Sequence, residues 1–186
     1  MGPESSKRGI FITMSTEFNR YKKTTGKAGE LACEAFVRSF GLKPKDVSED
    51  PYWQKLDVDY LIYPNGVEQR IEAKGRSRDW GDIGLELCTN TTAKTPGWAY
   101  GSRSDLITYY AKDTRILHVI KTKVMQQWLA RVDVSARYTT RAKNYNNGVY
   151  YSDSVMLPVP LTEARDSGWL LATYRRHDDD TFERIA

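Results

Sequence analysis

The chain has 186 residues, of which 40% are apolar and 28% are charged. This balance is typical of a globular protein rather than a disordered one, and the length suits one domain with a substantial core. No apolar run approaches a membrane span and no leader indicates secretion, so we expect a cytoplasmic protein without a membrane partner. The formal net charge of +4 and the pI near 9.0 allow a polyanionic partner without requiring one.

The few cysteines and histidines limit the metal chemistry. Cys33 and Cys88 lack the spacing of a metal or redox motif, and we expect small buried thiols in a reducing compartment. His118 and His177 lie far apart in the sequence, which excludes a zinc site built on histidine. Any metal bound by this chain is therefore expected to have oxygen ligands.

The N-terminal part divides into an arm and a helix. Residues 1–25 mix glycine, proline, serine and charges without periodicity, which predicts a flexible arm whose basic cluster is either solvated or a nucleic-acid contact: Arg20, Lys22 and Lys23. Apolar residues recur at three- and four-residue steps over residues 27–40, and Gly41 suits the end of that helix. Residues 26–186 are predicted to form a single domain.

Residues 55–75 predict a β-hairpin, because apolar residues alternate on both sides of a Pro-Asn-Gly turn. In the register set by that turn, Asp59 lies opposite Glu72 and Asp57 lies opposite Lys74, with Cβ atoms about 5 Å apart. All four charged side chains then share one exposed face. Two carboxylates at this spacing can bridge a hard divalent cation, and a lysine beside them can serve a reaction at phosphorus. The alternative is a solvated face on which these charges neutralise one another.

An acid that opens one strand, followed by Glu-x-Lys on the next, resembles the active-site signature of the PD-(D/E)XK nuclease superfamily. Asp59, Glu72 and Lys74 match its acid, acid and lysine, while Val58 stands where the motif has proline. The resemblance covers about residues 27–110. It implies an α/β fold with a restriction-endonuclease-like core, in which a central mixed β-sheet is flanked by helices and a β-meander carries the site.

The resemblance also implies an enzyme, a deoxyribonuclease that depends on Mg²⁺ or Mn²⁺ and hydrolyses phosphodiester bonds of DNA. Asp59, Glu72 and the Ala73 carbonyl would hold the metal, and Lys74 would act on the attacking water or on the transition state. Glu30 matches a further acid that such nucleases place on their first helix. An ordinary first-turn acid favoured by the helix dipole explains Glu30 equally well.

The segments after the hairpin supply further candidates. Residues 83–88 alternate as a third strand with Glu86 on its polar face, and Glu86 and Asp57 are candidates for supporting the site. The basic turn at residues 75–81 and the loop at residues 90–103 combine cations, hydroxyls and aromatic rings, which suit phosphates and bases. The candidate nucleic-acid contacts are Arg76, Arg78, Lys94, Trp98, Tyr100 and Arg103. A surface loop anchored by its aromatics is the alternative.

The loop at residues 90–103 and the strand after it resemble those of phage-type members of the superfamily, which implies a phage-encoded protein in a bacterial host. Further strands are predicted at residues 105–110, 115–120, 149–159 and 168–174, and a helix at residues 123–132. Residues 135–147 are either a solvated loop or a second nucleic-acid contact.

Two other classes of function stay open at this point. One is a catalytically silent member of the same fold that binds nucleic acid or a partner protein, and the other is an unrelated α/β protein whose hairpin charges are structural. The form of the DNA substrate is also open. Many double-strand cutters work as dimers, so a homodimer is one of the alternatives.

Overall fold

The computed structural model describes residues 10–146 and 149–186, which form five α-helices and eleven strands. The helices are α1 (Ile10–Ser39), α2 (Pro51–Gln54), α3 (Trp98–Gly101), α4 (Thr122–Leu129) and α5 (Leu161–Asp166). The strands are β1 (Lys45–Asp46), β2 (Tyr60–Ile62), β3 (Gln69–Arg76), β4 (Asp82–Asn90), β5 (Thr95–Pro96), β6 (Leu106–Ala111), β7 (Ile116–Lys121), β8 (Thr140–Asn146), β9 (Val149–Pro160), β10 (Leu170–Arg176) and β11 (Phe182–Arg184).

The strands build two sheets. A seven-stranded mixed sheet has the order β1-β2-β3-β6-β7-β10-β11, and a four-stranded antiparallel sheet has the order β5-β4-β9-β8. The predicted α/β class with a central mixed sheet flanked by helices is therefore confirmed. No described helix is both long and apolar enough to cross a membrane.

The predicted hairpin forms in the predicted register. Tyr60 lies opposite Ile71, and the next two pairs along β2 and β3 follow the same register. Asn65 and Gly66 in the connecting turn have φ of 53° and 80°. Asn and Gly tolerate this left-handed region better than other residues, which explains why the turn forms here.

The predicted exposed face of four charges is wrong in two respects. Asp57 precedes β2 with a left-handed φ of 48°, and its amide donates to the Gln54 carbonyl at 3.2 Å, so it does not oppose Lys74 in the ladder. Glu72 is only 3% exposed, because both faces of β3 are covered. Ile71 packs with α1, whereas Glu72 and Lys74 face the four-stranded sheet.

The predicted β-meander ends after two strands. β3 pairs in parallel with β6, so that Glu72 lies beside Ile107, while β4 leaves for the second sheet and pairs with β5 and β9. The alternation of Ile83 and Leu85 correctly indicated one buried face. Local alternation specifies a buried face but not the partner strand, which non-local packing selects.

Helix α1 covers one face of the seven-stranded sheet through Ala32, Cys33, Phe36 and Val37. It begins at Ile10 rather than near residue 27, so most of the segment predicted as an arm belongs to this helix. Residues 1–9 of that arm lie outside the described residues, as do the side chains of its basic cluster.

The main core lies between the two sheets. It joins apolar side chains of β4, β6, β7 and β9 with those of α4 and with the buried Trp169. The strands predicted in the second half of the chain are confirmed as β6, β7, β9 and β10. The segment at residues 135–147, predicted without regular structure, contains the edge strand β8, whose paired residues have no apolar alternation to reveal them.

Candidate active site

A cleft of about 800 Å³ opens between the two sheets. Strand β3 and the part of α1 from Thr25 to Glu30 form one side, and β4, β8 and β9 form the other. The described residues that line it include all three members of the predicted motif: Asp59, Glu72 and Lys74. The three residues that the sequence predicted to act together therefore border the same cleft.

Asp59 is held against β3 by two hydrogen bonds. Its amide donates to the Ile71 carbonyl at 2.9 Å, and its Oδ2 accepts from the Ala73 amide at 2.9 Å. Burial raises the pKa of Asp59 above its usual value, although the Ala73 amide and the Lys74 ammonium oppose that shift. The carboxylate is thereby fixed beside Glu72 at the start of β2.

Glu72 and Lys74 form an ion pair inside the cleft. Burial raises the pKa of Glu72 to about 7, and the Asp59 charge adds to that shift while Lys74 counteracts it. Burial alone would lower the pKa of Lys74, but the neighbouring carboxylates outweigh it, so the pKa is raised and the side chain stays an ammonium. Glu72 Oε2 is buried and has no hydrogen-bond partner among the described residues.

The donor set fits a hard divalent cation. Asp59 and Glu72 supply carboxylate oxygens, and the unsatisfied Glu72 Oε2 is an acceptor that lacks a positive partner. Hard cations prefer such oxygen donors, and their charge would favour the ionised form of both acids. In the part of the chain that the structure describes, three or more His, Cys, Asp or Glu side chains are nowhere grouped as a complete metal site. Backbone oxygen, water or substrate would have to complete the coordination.

Glycines allow α1 to lie directly on β3. A Cβ on Gly29 would stand 2.7 Å from the Gly75 amide nitrogen, and a Cβ on Gly75 would stand 2.1 Å from the Thr25 carbonyl oxygen. This contact places Glu30 in the cleft lining, where it pairs with Lys27 at 2.9 Å. Glycine is costly inside a helix, so Gly29 was a sequence signal for this contact, which was not predicted.

The two candidate supporting acids have different positions. Glu86 lines the cleft from β4, and its Oε2 accepts from Thr89 Oγ1 at 3.1 Å. Asp57 lies outside the cleft lining, yet its charge contributes to the raised pKa of Lys74. Of the two, only Glu86 borders the space where a substrate would bind.

Two predicted nucleic-acid contacts are engaged within the protein. Arg76 binds the carbonyl and carboxylate oxygens of Asp82, each at 2.7 Å, and its guanidinium lies 4.4 Å from the Trp80 ring centre. Trp98 is 6% exposed and belongs to the core beside Tyr109, because α3 folds back onto β4. Trp98 therefore does not present the open ring expected of a stacking platform.

The other predicted contacts are exposed but lie outside the cleft lining: Arg78, Lys94, Tyr100 and Arg103. Two exposed aromatic side chains that were not named as individual contacts do line it: Trp80 of the basic turn at residues 75–81, and Tyr138 of the segment at residues 135–147 that was open as a second nucleic-acid contact. Their sequence signal was weak, because the approach of β8 to β3 depends on the second sheet.

Comparisons of this chain with protein-family models, with curated proteins and with solved structures found no match. The fold is that of an α/β protein with a mixed central sheet, and the cleft gathers acids and a lysine on that sheet.

Proposed function

We propose that this protein is a metal-dependent nuclease that hydrolyses phosphodiester bonds of DNA with a site of the PD-(D/E)XK type. The observation that carries the proposal is the cluster of Asp59, Glu72 and Lys74 in one cleft, with Glu72 Oε2 buried and unsatisfied. A buried carboxylate oxygen without a hydrogen-bond partner is costly, and a bound cation would offset that cost.

Asp59, Glu72 and the Ala73 carbonyl would hold Mg²⁺ or Mn²⁺. When bound, the ion would supply an acidified water and would offset negative charge at the phosphate. Lys74, as an ammonium, would orient the attacking water or stabilise the charge that develops at phosphorus. The Ala73 amide keeps Asp59 in place for this role through its hydrogen bond.

The charge of the cleft supports the proposal that a phosphate binds there only together with divalent cations. Among the described residues, its lining contains two cationic side chains, Lys74 and Arg76, and both are paired with acids. The same part of the lining contains five acidic side chains, namely Glu30, Asp59, Glu72, Asp82 and Glu86. A phosphate would be repelled by this excess of negative charge unless divalent cations entered with it.

A second candidate function is nucleic-acid or partner-protein binding by a catalytically silent member of the same fold. The observation that favours it is that Lys74 is already paired with Glu72, which holds the ammonium on the protein. In that case the cleft would bind without turnover, and substitution of the acids would leave binding largely unchanged.

The direct test is Asp59→Asn with a mixed single- and double-stranded DNA substrate. We expect cleavage in Mg²⁺ or Mn²⁺ to fall by at least about 100-fold, because one charged ligand is lost. The amide oxygen can still accept from the Ala73 amide, so the melting temperature should change little. Rates and melting temperature are measured on the same preparations.

Asp166→Asn is the matched control, because Asp166 is an exposed acid outside the cleft lining. It should cleave at the wild-type rate. Wild-type turnover by Asp59→Asn would contradict the assignment of the site, and absence of cleavage by the wild type with either metal would favour the silent alternative.

A further inference from the structure

We propose that the cleft takes an unpaired DNA strand, whose bases stack on Trp80 and Tyr138, in preference to a duplex. This inference rests on the proposed function for the position of the phosphate at Asp59 and Glu72. It adds the form of the substrate, which the catalytic residues by themselves leave undefined.

The size of the cleft is the first argument. A volume of about 800 Å³ lies within the range of pockets that enclose a single small ligand. The interior of such a space suits about one or two nucleotides better than the two paired strands of a duplex. A single strand therefore fits the approach to the acids at β3 better than a duplex does.

The exposed aromatic side chains are the second argument. Trp80 is 68% exposed and Tyr138 is 76% exposed, although both border the cleft. One face of Trp80 lies against Arg76, which Asp82 holds in turn, so the indole is fixed before a ligand arrives. Aromatic rings bind unpaired bases by stacking, which is tolerant of sequence and unavailable to bases inside a duplex.

The third argument is that β8 and β9 contribute no charged side chain to the described lining of the cleft. Side chains of β8 and β9 that border the cleft are neutral: Thr140, Ala142, Ser154, Met156 and Pro158. Duplex binding depends on cations that neutralise phosphates along the backbone. Among the described lining residues both cations are already paired, so a strand inside the cleft would be held by added metal at its phosphate and by contacts with its bases.

The test compares three fluorescein-labelled DNA probes by anisotropy, with Ca²⁺ in place of Mg²⁺. They are a 12-nucleotide single strand of mixed sequence, the same sequence closed into a hairpin duplex, and the single strand with adjacent abasic sites. We expect the single strand to bind at least about 5-fold more tightly than either other probe. The abasic strand keeps the phosphates, so its loss of affinity reports the contacts made by the bases.

Tyr138→Ala should weaken binding of the single strand by about 5-fold or more, and Tyr138→Phe should restore it because the ring is kept. Trp80→Ala should act in the same way, with its melting temperature measured because Arg76 packs on the ring. Tyr52→Ala is the matched control, since Tyr52 is 63% exposed outside the cleft lining. If Trp80→Ala does not fold, the two Tyr138 variants decide the question.

Equal affinity for the abasic and intact strands, or tighter binding of the duplex, would overturn the inference. Cleavage of the duplex in Mg²⁺ with no effect of Tyr138→Ala would keep the nuclease and reject the unpaired strand. Ring-dependent binding of the single strand without cleavage would keep this inference and reject the nuclease. Absence of binding to all probes would overturn both.

Discussion

At the residue scale, Glu72 shows how burial changes the pKa of an acidic side chain. The sequence indicates an acid on a strand surface, but the structure covers it with the second sheet and leaves it 3% exposed. Burial raises its pKa to about 7, whereas Lys74 holds the ionised form through the ion pair. Near neutral pH Glu72 is therefore present in both protonation states. A cation bound to its oxygens would favour the ionised state.

Lys74→Met tests the role of the ammonium. We expect turnover at saturating DNA to fall about 100- to 1000-fold while KM changes little, because the charge acts mainly in the transition state. The melting temperature should fall as well, since Glu72 stays buried without its cationic partner. Turnover is measured well below the melting temperature to separate the two effects.

Lys112→Met is the control for Lys74→Met, because Lys112 is exposed just beyond β6. It should leave both turnover and melting temperature close to wild type. Normal turnover of Lys74→Met together with a lowered melting temperature would assign Lys74 a structural role only.

The buried His118 is expected to make the stability of the protein fall at acidic pH. It is 1% exposed, its Nδ1 lies 3.0 Å from Thr173 Oγ1, and burial lowers its pKa from 6.5 to about 4. Because the unfolded chain binds this proton more readily, the free energy of unfolding should drop as pH falls from about 6.5 to about 4, by up to about 3 kcal/mol. His118→Gln should remove this part of the dependence, as urea unfolding at pH 7 and pH 4.5 would show.

His177→Gln serves as the comparison for His118→Gln, since His177 is exposed near the C-terminus. It should keep the wild-type dependence of stability on pH. An identical drop in stability for His118→Gln and wild type between these pH values would contradict the assignment to His118.

At the element scale, the contact of α1 with β3 determines the shape of the site. Gly29 and Gly75 let two backbones approach so closely that Glu30 reaches the cleft that β3 lines. Tyr60 adds to this contact, because its hydroxyl donates to the Glu30 carbonyl at 3.3 Å. The helix is thus part of the site and not only a cover for the sheet.

Gly75→Ala should lower the free energy of unfolding by about 1–3 kcal/mol or more, because its Cβ would overlap the Thr25 carbonyl oxygen. Displacement of α1 should also reduce cleavage. Gly26→Ala is the control, since a Cβ there meets nothing within 4 Å, and alanine should stabilise the helix by up to about 1 kcal/mol. Chemical denaturation compares the two, and equal stability would contradict the close contact.

At the scale of the whole molecule, positive charge is separated from the site. The chain has a formal net charge of +4, whereas the described part of the cleft lining has more acids than cations. The exposed cations Arg78, Lys94 and Arg103 lie outside that lining. The exposed cations can attract DNA phosphates to the outer surface, while the cleft binds the bases and added metal.

Arg78→Ala, Lys94→Ala and Arg103→Ala should each weaken DNA binding and reduce the slope of log affinity against log salt by about 0.7–0.9. Arg76→Ala should instead destabilise the fold, because it removes the pair with Asp82 and uncovers the Trp80 ring. Titrations at several salt concentrations test this. Unchanged slopes for the first three would place the phosphate contacts on another surface, with Arg141 and Lys143 of β8 the next candidates.

The sequence by itself determined the hairpin, its register and the residues of its motif. These depend on contacts between neighbours in the chain: alternation from Val58 to Ile62, turn residues Asn65 and Gly66, and the pairing that follows from them. Strands β6, β7, β9 and β10 were also predictable, because runs of β-branched and aromatic residues are local signals.

Only the tertiary structure decided where β4 pairs, which side chains line the cleft and how deeply Glu72 is buried. These features require segments far apart in sequence to meet, such as β3 with β6 and β4 with β9. A local pattern indicates which face of a strand is buried but does not determine which part of the protein covers that face. Burial, and with it the charge state of the acids, is set by that covering surface.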